Sequence, residues 1–400
     1  MPINRLPTEI VVHTATCFGK GRDLVNATAI CQRWRTILIS SPQLWCNVGG
    51  SSLEIQTCLA RSGFMPIVVN LSSPELAELI VPHTSRLVGL VLPAEGSRSN
   101  FRQISGHLRH PIPTLHTFRI STSTYQLHTV EFASDVRDAF FIHSKKLELE
   151  GVHSFRGPPG APDSFKPFPN VTEIVFRANL GPTEIDDLLD TLERLPALER
   201  ASITLATSWR PGHRRTITLP RVQEMTVLLP EPHTVIPPIF GQIKYPNLTL
   251  LRLQGISSLS GRIQPIFPAD PFEEYMPNLT DLPELQVSIN MTSIEFAFRN
   301  PRATFSCVTD RVFSTSWTGE VIWGSLPLHT VRKLVVDVWD PRVGIDSKWF
   351  VELLRDLVNL EHLEFGGVHP PVVRHLCQGA IGRGLPVPIR TLVGRAAGGC

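Results

Sequence analysis

From Leu87 onward, apolar residues fall into a recurring frame, at the first, fourth and sixth positions of a short segment. The frame occurs at Leu87/Leu90/Leu92, Leu115/Phe118/Ile120, Val171/Ile174/Phe176 and Leu198/Ala201/Ile203. It recurs at Val222/Met225/Val227, Leu248/Leu251/Leu253, Val331/Leu334/Val336 and Leu360/Leu363/Phe365, and Leu147/Leu149 fits with Ser144 in the first slot. Successive first slots from 87 to 248 stand 28, 29, 27, 27, 24 and 26 residues apart, and 331 and 360 stand 29 apart. The alternation predicts a strand with one buried face. Proline precedes the first slot by two residues at Pro113, Pro169, Pro196, Pro220, Pro246 and Pro277. There it stops a helix and presets an extended entry.

Between strands the spacing turns helical. Ile185, Leu188, Leu189 and Leu192 follow Pro182-Thr183-Glu184, and Trp349, Phe350, Leu353, Leu354 and Leu357 follow Asp346-Ser347. Both runs have cap chemistry ahead of them. The period resembles that of leucine-rich repeats and predicts an α/β solenoid over 87–400, with parallel strands inside and helices outside. The frame fails over about 254–330. Leu279/Leu282/Leu285 keeps the spacing, but Pro283 sits in the would-be strand, where its missing N–H breaks pairing. Met291/Ile294/Phe296 follows only twelve residues on. This region reads as irregular repeats with a long insertion, and 157–162 and 263–271 read as surface loops.

The first 48 residues form a separate helical pattern. Pro7 and Glu9 suit a first helical turn, and Gly19 and Gly21 interrupt it. Asp23 is the expected N-cap of a second run that carries Leu24, Ala27, Cys31, Trp34 and Leu38 on one stripe. Ser40-Ser41-Pro42 ends that run, and Leu44-Trp45 makes a short hook. So small a module buries little surface. Its apolar stripe therefore marks a partner site, unless Trp34 and Trp45 pack inward. Residues 49–86 read as a connector and entry segment, with a helix over Leu53–Leu59, a break at Gly63, a strand over Ile67–Leu71 and a helix over Pro74–Val81.

Leu6-Pro7-x-Glu9-Ile10, Asp23-Leu24, Ile30-Cys31-x-x-Trp34-Arg35 and Ser41-Pro42-x-Leu44-Trp45 together resemble an F-box in order and spacing. Thr14 departs from the pattern, which carries a large aliphatic residue there. The resemblance implies a three-helix module over 1–48 that binds the adaptor Skp1 and, through it, the cullin of an SCF-type ubiquitin ligase. The docking residues it implies are Leu6, Pro7, Ile10, Leu24, Ile30, Cys31, Trp34, Leu38, Leu44 and Trp45. Leu59-Ala-Arg-Ser-Gly63 with Pro66 and Leu71 is similar to the segment that follows the F-box in many fungal F-box-like proteins.

Composition narrows the remaining choices. Hydrophobic content of 42% with 18% charged residues is that of a globular chain, and a formal charge of +2 gives no electrostatic reason for nucleic acid or membrane binding. Seven cysteines without a CxxC pair suit reduced thiols. Neither a secretory signal nor a long apolar run is evident, so the expected compartment is cytoplasm or nucleus. Six Asn-x-Ser/Thr triplets, at Asn26, Asn70, Asn170, Asn247, Asn278 and Asn290, are then only short strings.

No phosphate loop, nucleophile elbow or HExxH motif occurs, and His107/His110 and His369/His375/Cys377 lack the company of a metal site. No enzyme activity and no cofactor is expected. The substrate surface falls on outward strand positions, among them Glu173, Arg177, Arg200, Glu224, Arg252, Gln254, Lys333, Asp337, His362 and Glu364. Mixed charge there suits a protein epitope. A scaffold with a vestigial F-box, acting outside the ligase, is the alternative reading.

Overall fold

The structure is a computed structural model. It describes residues 5–18, 21–93, 103–104, 106–108, 112–121, 128–131, 142–156, 168–177, 183–204, 209–210, 215–228, 241–256, 272–289, 293–310, 328–338, 347–366 and 391–395. The chain divides into two compact units, one of residues 1–179 with 194–197 and one of 180–193 with 198–400. The helical N-terminus and the first strands therefore share a unit, and the units do not part at 48/49 or 86/87. The architecture is mixed α/β with mostly parallel sheets. The loops expected at 157–162 and 263–271, and His110, Met291, Asp346, His369, His375 and Cys377, lie outside the described residues.

The first unit opens with three short helices, α1 (Thr8–Thr16), α2 (Gly21–Ala27) and α3 (Gln32–Ile39), and a 3-10 turn over Pro42–Trp45. Strand β1 (Asn47–Val48), α4 (Ser52–Arg61), β2 (Ile67–Asn70) and α5 (Pro74–Ile80) follow. Then come β3 (Leu87–Pro93), β4 (Thr117–Ser121), β5 (Lys146–Glu150) and β6 (Glu173–Arg177). The six strands pair in chain order and all in parallel. The stretch 49–86 is thus built into the ladder instead of leading up to it.

Two expectations for the N-terminus need correction. Pro7 caps α1 and does not begin it. The run expected from Asp23 to Leu38 is two helices, because Asp23 lies inside α2 and the chain leaves helical geometry before α3. Cys31 is the N-cap of α3, its Sγ accepting from the Trp34 N–H at 3.5 Å. Arg35 Nε then donates to the Thr28 carbonyl at 3.2 Å and closes the corner.

The second unit contains α6 (Ile185–Glu193), β7 (Arg200–Thr204), β8 (Glu224–Leu228) and β9 (Leu250–Ile256). It continues with β10 (Glu284–Ile289), β11 (Ser293–Arg299), β12 (Thr304–Asp310), β13 (Lys333–Val338), α7 (Ser347–Asp356), β14 (His362–Gly366) and β15 (Thr391–Arg395). Thr183–Glu184, expected as cap residues for α6, instead form a short strand that pairs with Trp209–Arg210. The strand order is β7-β8-β9-β12-β11-β10-β13-β14-β15.

The irregular region resolves as a folded-back ladder. β10 and β11 pair antiparallel, as do β11 and β12, while β9/β12 and β10/β13 are parallel. Pro283 does not interrupt a strand. It ends the lead-in to β10, and its carbonyl accepts from Arg332 and Lys333. Ile294 and Phe296, which fitted the frame out of period, lie on the antiparallel β11.

Six rungs are entered by the same turn, which places the first slot ahead of the strand. The N–H groups of Leu115, Val222, Leu248, Leu279, Val331 and Leu360 bond back to the carbonyls of Ile112, Leu219, Tyr245, Met276, Leu328 and Leu357. Those partners are buried too, so the frame has a further apolar slot three residues upstream. Tyr245 fills it in one rung, and full burial pushes its phenol pKa up.

Between the two slots an asparagine often faces the preceding rung. Asn247 Nδ2 donates to Pro220 O (2.7 Å), Asn359 to His329 O (2.7 Å) and Asn278 to Pro246 O and Leu248 O (3.4 and 3.3 Å). In the first unit Asn170 reaches the Ile142 carbonyl in the same way. Asn247→Ala strands the Pro220 carbonyl and is expected to cost about 1 kcal/mol, measured as a shift in urea midpoint. Exposed Asn26→Ala is the control and should shift it little.

Candidate functional site

Two surfaces offer themselves, and each belongs to what its residues bury. In the N-terminal helices the tryptophans face inward: Trp34 is 3% exposed and Trp45 is 0% exposed. Trp45 Nε1 donates to Leu38 O at 2.8 Å, and the Arg61 guanidinium sits 4.4 Å from its ring centroid. The Trp34 Nε1 is buried without a partner. Leu24, Leu38 and Leu44 are buried with them. These five residues are core, which corrects the expectation that they touch an adaptor. A side chain enclosed by its own chain presents no area to another protein.

What remains outside is a set of aliphatics. Ile10 is 47% and Ile30 50% exposed, and Val25 and Ile39 are exposed as well. Pro7 is exposed and Leu6 and Cys31 are half-buried. Arg33 Nη2 donates to the Leu6 carbonyl at 2.8 Å, which ties the lead-in of α1 to the first turn of α3. Sequence reasoning passed over Val25 and Ile39. Both stand one residue beside the buried positions Leu24 and Leu38, so the stripe hid them. Isolated apolar residues on a surface are ordinary; these lie on, or next to the ends of, three short helices.

The second surface is the solvent side of the strands. All ten residues named for substrate contact lie there, exposed or half-buried. In the second unit Arg200 stands beside Glu224 and Thr226 beside Arg252. Many of these charges are already paired. Lys333 Nζ lies 3.3 Å from Glu284 and 3.6 Å from Glu364, and Gln286 Nε2 donates to Asp337 at 2.6 Å. In the first unit Lys146 Nζ lies 2.9 Å from Glu173 and 3.0 Å from Glu148, and Arg119 reaches Glu150 at 2.6 Å. The hydrogen bond that Lys146 donates to Glu173 raises the Lys146 pKa above its usual range.

Arg119, Lys146, Glu148, Glu150, Glu284 and Gln286 were not among the residues expected from sequence. The alternation that marks their strands carries the signal. Cross-strand pairs of this kind leave a face of alternating charge, suited to a polar protein surface. Gly366 makes room on it, since a Cβ there would lie 2.1 Å from Asp337 Oδ1. Gly366→Ala should turn the carboxylate away from Gln286 and cost about 1 kcal/mol, the worth of that hydrogen bond, read from thermal melts of the variant and of Gln286→Ala.

Among the described residues no cluster of His, Cys, Asp and Glu is arranged to hold a metal ion, and no helix is long and apolar enough to cross a membrane. No protein-family model matches the chain, and no curated protein matches it. Among solved structures, one of a Bacteroides fragilis protein is similar over 77% of this chain and 74% of that chain, at 11% identity and a TM-score of 0.30. A likeness that low carries no argument.

Proposed function

We propose that this chain is a non-catalytic substrate receptor of an SCF-type ubiquitin ligase, with an F-box-like docking module followed by leucine-rich-repeat-like rungs. The observation that carries the reading is the exposed group Ile10, Val25 and Ile39 on three short helices, with Pro7 and Ile30 beside their ends, while the helices keep a buried core of their own. Its role is to dock Skp1 and, through it, cullin. The mixed-charge strand faces hold a protein substrate, and tethering raises the local concentration of that substrate near the conjugating enzyme. Such a protein works in cytoplasm or nucleus and needs no cofactor.

Thr14 supports a second reading, a repeat scaffold outside the ligase. It is exposed on α1 one turn beyond Ile10, where helical spacing puts it on the same face. It therefore weakens docking without touching the core. Affinity purification of the full chain separates the two. A receptor recovers Skp1 and cullin in stoichiometric amounts; a scaffold recovers neither, and that result would overturn the ligase assignment.

A further inference from the structure

The solvent side of the first unit's sheet is charged over β4 to β6, but over β1 to β3 it is uncharged, formed by Asn47, Val68, Asn70, Gly89 and Val91. A cleft of about 530 Å³ opens there, within the range of ligand sites. Register sets Asn47 beside Val68, Val68 beside Gly89 and Asn70 beside Val91, so these residues share one face. Val68 spreads over Gly89, where an added Cβ would lie 3.0 Å from two of its carbons. The floor is therefore two valines with no side chain between them. Gly49 keeps the wall open beside Asn70, since a Cβ there would come within 3.3 Å of the Asn70 Cβ.

The polar groups of the cleft fall into two classes. The Glu54 carboxylate is committed: it accepts from the Ser51 N–H (2.6 Å) and hydroxyl (2.9 Å) in the capping box of α4. These bonds to Ser51 hold its pKa below the usual range, helped by the Arg22 charge. Glu54 is thus taken up by its own cap, and the cleft offers no free carboxylate. Asn47 and Asn70 are different. Among the described residues neither carboxamide has a hydrogen-bond partner, whereas Asn170, Asn247 and Asn278 each bond the preceding rung.

We propose that this cleft holds an extended, uncharged peptide segment of the substrate, with one aliphatic side chain set on Val68 and Val91. The inference rests on the reading that the strand face grips a protein, and is independent of adaptor docking. A carboxamide presents a donor and an acceptor together, which matches the N–H and C=O of a peptide unit. Two such groups on adjacent strands read the backbone, and the valine floor reads the side chain. A lysine side chain finds no free carboxylate, because Ser51 already holds Glu54.

The test uses the full chain labelled at valine methyls and a blocked peptide, acetyl-Gly-Ser-Thr-Val-Thr-Ser-Gly-amide, titrated to about 5 mM, a range that captures weak sites. Saturable shifts confined to the methyls of Val48, Val68 and Val91 are expected. An Asn47→Ala/Asn70→Ala variant should weaken the titration about tenfold, and a peptide with lysine in place of valine should give no shift. Both asparagines are exposed, so the variant should keep its remaining methyl spectrum. Absence of saturation, or saturation unchanged in the variant, overturns the proposal. Either result leaves Skp1 capture untouched, so failure of the cleft and failure of the ligase reading are told apart.

Discussion

Trp45→Ala should lower the stability of the N-terminal unit by about 3–5 kcal/mol, the usual cost of emptying a core site of this size. Three losses add there. The indole is 0% exposed, so its whole volume becomes a cavity. The Leu38 carbonyl, at the end of α3, loses the 2.8 Å bond from Nε1. Arg61 loses the ring it covers at 4.4 Å. Trp34 gives an internal contrast, because its Nε1 has no partner to lose. Trp45→Phe should therefore cost more than Trp34→Phe, by about 1 kcal/mol for the hydrogen bond. Denaturant titration followed by circular dichroism measures all three. If Trp45→Ala leaves stability unchanged and abolishes Skp1 capture, the residue belongs to an interface after all and its assignment to the core is wrong.

The difference between core and interface is where sequence reading stopped short. The stripe Leu24, Ala27, Cys31, Trp34 and Leu38 keeps helical spacing, yet spacing alone does not reveal that residues 28–31 leave the helix. Thr28 turns the chain, its hydroxyl donating to Val25 O at 2.6 Å and its carbonyl accepting from Arg35. Nor does an amphipathic stripe say what covers it; here α1, α4 and the Pro42–Trp45 turn do so.

The repeat frame was legible because strand alternation is local. All nine segments it marked carry strands. Pairing across long stretches of chain is not local, so the antiparallel return through β11 left only an out-of-period Ile294/Phe296 as its trace. The asparagine ladder was visible in a different guise. Asn170, Asn247 and Asn278 stood out as Asn-x-Ser/Thr strings, and their shared place one residue ahead of the first slot became meaningful only once a carbonyl of the preceding rung lay within reach.

The second large effect concerns docking. Ile10→Asp together with Ile30→Asp should reduce Skp1 capture by about a hundredfold or more, as expected when two interface anchors are each replaced by an unpaired charge. The two side chains are 47% and 50% exposed, so the double variant should melt within about 2 °C of the parent. The same face allows a gain as well as a loss. Thr14 lies one turn beyond Ile10, and Thr14→Leu adds apolar area where a partner would cover it, which should tighten capture by about tenfold. Loss with the aspartates and gain with leucine, at constant stability, cannot arise from a change in the fold. Capture that ignores all three substitutions would place the adaptor elsewhere on the chain, or nowhere, and the exposed aliphatics would then be ordinary surface.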